Sequence, residues 1–324
     1  MACCLLCASG CASIPPHPTP PPRLPLPAEE AAYYDYPSHA PKAVMRLLDQ
    51  SRTVRRLLVQ FPLSNPGGAF TEPMVEFEWF ESTMPGPRPA ILLSPILGGD
   101  YPIERGIARF FAEHGFHVAL VHRRTLKVSP EHDLAHLERL LRQGVLRIRQ
   151  IVDWMAACDR VDPERLGSFG ISMGGIAGVM AAAVEPRLRV HVVALSGGGI
   201  ADILVSSHDR LLTKPRQRYL QHHHISLETM HRLLQEQIRT DPIRLAPYVN
   251  RDRLLMFIAL NDRTIGRANA LRLWRALGRP QAVWFPLGHY TSYLFLPYLK
   301  RESLRFFQET LWQVTEKVHS GGFQ

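Results

Sequence analysis

Short, almost uninterrupted apolar runs recur along the chain, at residues 90–94, 118–121, 166–171, 190–195, 254–260 and 282–285. Runs of this length without polar alternation predict strands covered on both faces, because a half-solvated strand would alternate. Residues 74–80 do alternate, which predicts a strand at an exposed edge, and a further amphipathic stretch at residues 43–58 precedes it. Apolar positions at helical spacing fill residues 103–114, 137–158, 173–184, 267–277 and 292–318. Strands alternating with helices require right-handed crossovers, so the expected fold class is α/β, a mostly parallel central sheet with helices on both faces.

One connection is too long for this rhythm. Residues 196–250 separate two apolar strands, and a structureless loop of that length is uncommon in a folded domain. A helical pattern at residues 227–238 makes a helical cap insertion over the strand ends the expected arrangement. No internal repeat is visible.

Residues 12–40 read as a proline-rich linker, with Pro15, Pro16, Pro18, Pro20, Pro21, Pro22, Pro25 and Pro27 favouring an extended, semi-rigid spacer. Ahead of it, residues 1–11 are short, apolar and small, and they hold Cys3, Cys4, Cys7 and Cys11, while the fifth cysteine, Cys158, stands alone. This spacing is neither a disulfide framework nor a metal-ligand pattern. The run Ala8, Ser9, Gly10, Cys11 resembles the end of a bacterial lipoprotein signal peptide. That resemblance implies a lipid on Cys11 and a membrane-anchored protein of the bacterial cell envelope, facing the periplasm or the exterior. The alternative is a Cys-rich leader on a cytoplasmic protein.

With 324 residues, 46% hydrophobic and 21% charged, the chain can bury one substantial core. Its formal charge of +9 is scattered, with no run of five basic residues, which argues against a dedicated nucleic-acid site and only weakly for an anionic surface. Outside the N-terminal segment, no apolar run reaches the ~18 residues that span a bilayer.

The chemistry concentrates where the apolar strand 166–171 runs into Gly170, Ile171, Ser172, Met173, Gly174, Gly175 and then a helix of small residues. Strand, sharp turn and helix with serine at the apex lift the hydroxyl into the open, and the helix N-terminus beneath it favours negative charge. The flanking glycines leave room for neighbouring backbone. This motif, together with Val161, Asp162, Pro163, Glu164, Arg165 and the preceding Val152, Asp153, Trp154, Met155, resembles the α/β-hydrolase superfamily, in particular dienelactone-hydrolase-like and related esterases. The likeness runs from about residue 77 to the C-terminus and makes residues 41–324 an α/β-hydrolase domain.

The resemblance implies Ser172 as nucleophile, with an acid and a histidine following in that order beyond successive strand ends. Asp262 follows the strand 254–260, and His289 follows the strand 282–285. Met173 is the implied first oxyanion-hole donor. The second belongs to the turn Ser94, Pro95, Ile96, Leu97, Gly98, where Leu97 is favoured, Ile96 is the alternative, and Pro95 has no N–H to give. The expected activity is hydrolysis of a small-molecule carboxylic ester through an acyl-enzyme, without metal or organic cofactor. Amide or peptide hydrolysis and acyl transfer remain alternatives with the same triad. A non-catalytic envelope binding protein of this fold is the alternative from another class.

Other groups have blander readings. His222, His223 and His224 diverge too much to share a metal, and His132 and His136 lack a third ligand. Lys214, Arg216 and Arg218 read as a solvated basic face, and Tyr290 and Tyr293 as helix-packing residues that reach towards a pocket.

Overall fold

In the computed structural model, which describes residues 24–64, 73–98, 101–122 and 130–311, the apolar runs assemble into one nine-stranded sheet. The strands are β1 (Val44–Gln50), β2 (Val54–Pro62), β3 (Met74–Ser82), β4 (Arg88–Ser94), β5 (His117–Val121), β6 (Val161–Ile171), β7 (Leu188–Ala194), β8 (Leu254–Ala259) and β9 (Gln281–Phe285). Their order is β1-β2-β3-β5-β4-β6-β7-β8-β9, with β1 to β3 antiparallel and the other six parallel.

The side-chain alternation along each strand divides the core between two faces. Ile91, Leu93, Val118 and Leu120 pack with Ile107 and Phe111 of α2 (Pro102–Glu113) and Leu304 and Phe307 of α10 (Leu296–Leu311). On the opposite face, Leu92 and Ala119 meet Ile148, Ile151 and Val152 of α3 (Leu134–Ala156). The same face carries α4 (Met173–Val184) and α9 (Arg267–Ala276) against Val193, Met256 and Ile258. Between β7 and β8 the chain builds α5 (Ile200–Ser206), α6 (Arg210–His223), α7 (Leu227–Gln237) and α8 (Pro242–Leu245).

Two expectations require correction. Residues 74–80 are not at an edge: β3 is flanked by β2 and β5, because the amphipathic stretch 43–58 forms the hairpin strands that cover it. Its polar positions are paired rather than solvated. Glu78, only 2% exposed, accepts from Arg105 at 2.9 and 2.7 Å and from His122 at 3.1 Å. Burial raises its pKa, but the His122 and Arg105 contacts outweigh that and hold it at about 2.

The second correction concerns the proline-rich linker, which does not extend to residue 40. After Pro27 the composition turns helical and aromatic, and α1 (Ala28–Tyr33) with Tyr34 and Tyr36 folds onto the domain. The Tyr34 hydroxyl donates to Thr240 Oγ1 at 3.0 Å and the Tyr36 hydroxyl to Asp153 Oδ2 at 2.8 Å. Burying aromatic rings whose hydroxyls keep partners outweighs the cost of ordering the segment. Residues 1–11, including Cys11, lie outside the described residues, as does residue 312 onward.

One buried titratable group ties β5 to its surroundings. The Ser82 N–H donates to His117 Nδ1 at 3.0 Å, so the proton sits on Nε2, which donates to the Arg160 carbonyl at 2.9 Å. Burial, helped by the charges of Arg160 and Arg88, lowers its pKa from 6.5 to about 4. Above pH 6.5 the imidazole is neutral in folded and unfolded chains alike, and its contribution to stability is complete. As pH falls from 6.5 to 4, the unfolded chain takes up a proton that the folded one refuses. Stability is therefore expected to drop by up to about 3 kcal/mol over this window. Urea midpoints measured at neutral pH and near pH 4 should show the loss in the wild type and a smaller one in His117→Gln.

Candidate active site

The parallel strands release the chain at their carboxyl ends, and turns from β4, β6, β8 and β9 meet there. Ser172 occupies the turn between β6 and α4 with φ 56° and ψ −120°, a conformation that costs a non-glycine residue free energy and persists only where its surroundings enforce it. Those surroundings are backbone. A Cβ on Gly170 would lie 2.2 Å from the Gly174 carbonyl oxygen, and one on Gly174 2.1 Å from that of Ser94. The Ser172 N–H donates to the Ala194 carbonyl at 2.8 Å, pinning the turn to β7.

His289 and Asp262 arrive from β9 and β8. His289 Nε2 stands 3.0 Å from Ser172 Oγ, and His289 Nδ1 stands 2.7 Å from Asp262 Oδ2. A carboxylate only accepts, so Nδ1 carries the proton and Nε2 is left to accept from the serine hydroxyl. The other oxygen, Asp262 Oδ1, accepts from the N–H groups of Thr264 at 2.8 Å and Ile265 at 2.9 Å, which fixes the carboxylate plane. The two turns are also laced by backbone: Leu260 donates to Phe285 at 2.8 Å and Asn261 to Leu287 at 2.9 Å. Ser172, Asp262 and His289 are all buried. A serine proton that can pass to an oriented imidazole is the requirement of acyl transfer.

The two alternatives for the second oxyanion donor separate. The Ile96 N–H donates to Glu104 Oε1 at 2.9 Å and is engaged. Leu97 lines the pocket above Ser172 together with Met173. Met173 opens α4, so its N–H has no acceptor within its own helix.

That pocket, of about 130 Å³, is walled mainly by apolar side chains, among them Ile176, Ile200, Ile203, Leu212 and Ile265. Sequence reasoning missed two residues around it. Asp209, from the insertion, accepts from the Tyr290 hydroxyl and from Thr264 Oγ1 at 3.1 Å, while its other oxygen accepts from the Leu211 N–H at 2.8 Å. Burial raises its pKa, but these donors and the nearby His289 outweigh that and lower it. The only sequence signal for Asp209 is its position ahead of a helix, where an aspartate caps. Glu104, which holds the Ile96 turn, leaves no sequence signal.

The remaining candidates fall elsewhere. Arg216 donates to the carbonyls of Leu204 at 2.9 Å and Val205 at 2.6 Å, closing the end of α5 rather than presenting charge. His223 Nε2 lies 2.6 Å from the Pro130 carbonyl, and the rings of His132 and His136 sit 4.0 Å apart. Among the described residues no three His, Cys, Asp or Glu side chains are grouped as metal ligands, and no helix is long and apolar enough to cross a membrane. Burial pushes the Cys158 thiol up, so it is not a nucleophile competing with Ser172.

Comparison with known proteins agrees with this architecture. The structure is similar to acetyl xylan esterase 1 from Thermoanaerobacterium sp., with TM-score 0.62, 17% identity, and coverage of 87% of this chain and 96% of that one. It is similar to a putative dienelactone hydrolase from Klebsiella pneumoniae, with TM-score 0.52, 15% identity and coverage of 77% and 98%. It is also similar to a puromycin-hydrolyzing peptidase of Mycobacterium tuberculosis, with TM-score 0.51, 18% identity and coverage of 85% and 40%. In sequence, 151 residues, or 45% of the chain, are 28% identical to an uncharacterized protein of Mycobacterium tuberculosis, and the match spans 33% of that relative's length. Residues 105–290, more than half of the chain and including both Ser172 and His289, match the prolyl oligopeptidase family (peptidase S9). The chain therefore belongs to the prolyl oligopeptidase family within the α/β-hydrolase superfamily, and is a serine hydrolase.

Proposed function

We propose that the protein hydrolyses carboxylic esters through an acyl-enzyme formed on Ser172. The observation that carries this reading is the hydrogen-bonded series Ser172, His289, Asp262 at the floor of an apolar pocket. His289 Nε2 takes the Ser172 proton as Oγ attacks the ester carbonyl, and Asp262 stabilises the imidazolium that results. The N–H groups of Met173 and Leu97 receive the oxyanion. The same imidazolium then protonates the departing alcohol, and a water activated by His289 releases the acid.

Hydrolysis of an amide or peptide bond is the second reading, favoured by the family match. Against it stands the commitment of Asp209: both its oxygens are already engaged, so it offers nothing to a peptide amino group. A fluorophosphonate probe should label Ser172 and fail on Ser172→Ala, with p-nitrophenyl esters turned over faster than the matching p-nitroanilides. Labelling that survives the substitution would remove Ser172 from the mechanism, and anilide preference would move the reading to amides.

We also propose that Cys11 carries a lipid that tethers the domain to a membrane of the cell envelope. The small residues before Cys11 and the proline-rich stretch after it support this. Cys11→Ser should shift the protein from the membrane to the soluble fraction, and unchanged fractionation would end the idea.

A further inference from the structure

The pocket over Ser172 is the outer of two apolar spaces. A second cavity of about 130 Å³ continues beneath the insertion, and Leu97, Met173, Ile200, Leu204, Leu211 and Leu212 face both. Its inner wall is built by Leu137 and Leu141 of α3, Tyr219 of α6, and Met230 and Leu234 of α7. Charged groups in its lining are already spent. Arg216 closes α5, and Asp133 Oδ1 accepts from the His136 N–H at 2.8 Å and from Arg139 at 3.0 Å.

The direction of this cavity distinguishes the two halves of an ester. His289 must protonate the leaving alcohol, so the leaving group lies on the His289 side of the reacting carbonyl. His289, Tyr290 and Tyr293 line only the outer pocket and take no part in the inner one. Leu97 and Met173, whose N–H groups face the oxyanion, form the partition. The inner cavity therefore extends from the acyl side. The mouth is apolar as well: Leu211 is 58% exposed and Tyr290 56% exposed.

We infer that the inner cavity is an acyl chamber, and that the natural substrate is an ester of an aliphatic, fatty acid-like acyl group rather than an acetyl ester. This inference rests on the ester reading above. An apolar chamber without a free charge gains free energy from each methylene it removes from water and nothing from a polar acyl group. Short acyl groups leave it unfilled.

The test uses p-nitrophenyl esters from acetate through butyrate and octanoate to dodecanoate on the wild-type protein. For acyl lengths that the chamber accepts, kcat/KM is expected to rise by about fourfold per methylene, the ratio that corresponds to burial of one CH₂. A rise below about tenfold from acetate to octanoate overturns the chamber, since one well-buried methylene can supply that much. Met230→Trp, which fills the inner wall, should lower the octanoate-to-acetate ratio about tenfold, and Met230→Phe should lower it less. An unchanged ratio in a variant that melts like the wild type also overturns it.

Binding of octanoate and acetate to Ser172→Ala, followed by titration calorimetry, separates the two readings. Octanoate should bind at least about tenfold more tightly than acetate. If no ester is cleaved and octanoate still binds preferentially, the ester reading falls and the chamber stands. If esters are cleaved but octanoate binds no better than acetate, the chamber falls and the ester reading stands.

Discussion

His289→Ala is expected to lower kcat on a p-nitrophenyl ester by on the order of a millionfold. The substitution removes the only group within hydrogen-bond reach of the Ser172 hydroxyl in the described residues, and an unassisted hydroxyl is a poor nucleophile. KM should change little, because the imidazole acts on the proton in flight and not on the bound ester. Residual turnover would come from the oxyanion N–H groups and from binding alone. Steady-state kinetics beside a circular dichroism melt will check it, since loss of rate in a protein that still melts cooperatively assigns the effect to chemistry. Retained esterase activity would place the base elsewhere.

Asp262→Asn is expected to lower kcat by about ten-thousandfold with the turn intact. The asparagine carbonyl oxygen can still accept from the N–H groups of Thr264 and Ile265, which is the geometry that Asp262 Oδ1 provides now. Its NH₂ then faces His289 Nδ1 and requires that nitrogen to accept. The ring proton moves to Nε2 and points at Ser172 Oγ, so the imidazole meets the hydroxyl as a donor and cannot take its proton. Near-normal rates would move the orienting acid to another residue, for which Asp209 is the nearest carboxylate to test. The Asp262→Asn, His289→Ala double variant should be no slower than His289→Ala, because the aspartate acts only through the histidine.

The legible part of this molecule was the part that local physics decides. The six parallel strands are continuous apolar runs because both faces are covered, and such runs survive reading without a partner in view. The turn at Ser172 was legible because only glycine fits at positions 170 and 174, so the geometry is written into the residue types. Asp262 and His289 could be placed by counting strand ends, since the fold delivers them in order. What stayed hidden was what distant segments decide. β3 looked solvated because its glutamates face arginine and histidine side chains from α2 and the segment after β5, contacts that no pattern within β3 can reveal. Tyr34 and Tyr36 were indistinguishable from linker because their hydroxyl partners, Thr240 and Asp153, lie more than a hundred residues away. Asp209 and Glu104 were invisible for the same reason: each acts by holding a turn that belongs to another part of the chain.

The lacing of the β8 and β9 turns has a consequence for how the chain tolerates change. Leu255 to Ala259 pair in step with Gln281 to Phe285, and that register alone determines where the residues beyond the two strands arrive. A slip of one residue would carry His289 about 3.3 Å along the strand direction and turn the side chains of β9 to the opposite face. Length changes in the surface segment between α9 and β9 are therefore harmless to the reaction only when the pairing reforms unshifted. A single inserted residue that is absorbed inside β9 would silence the protein without touching any residue near the ester.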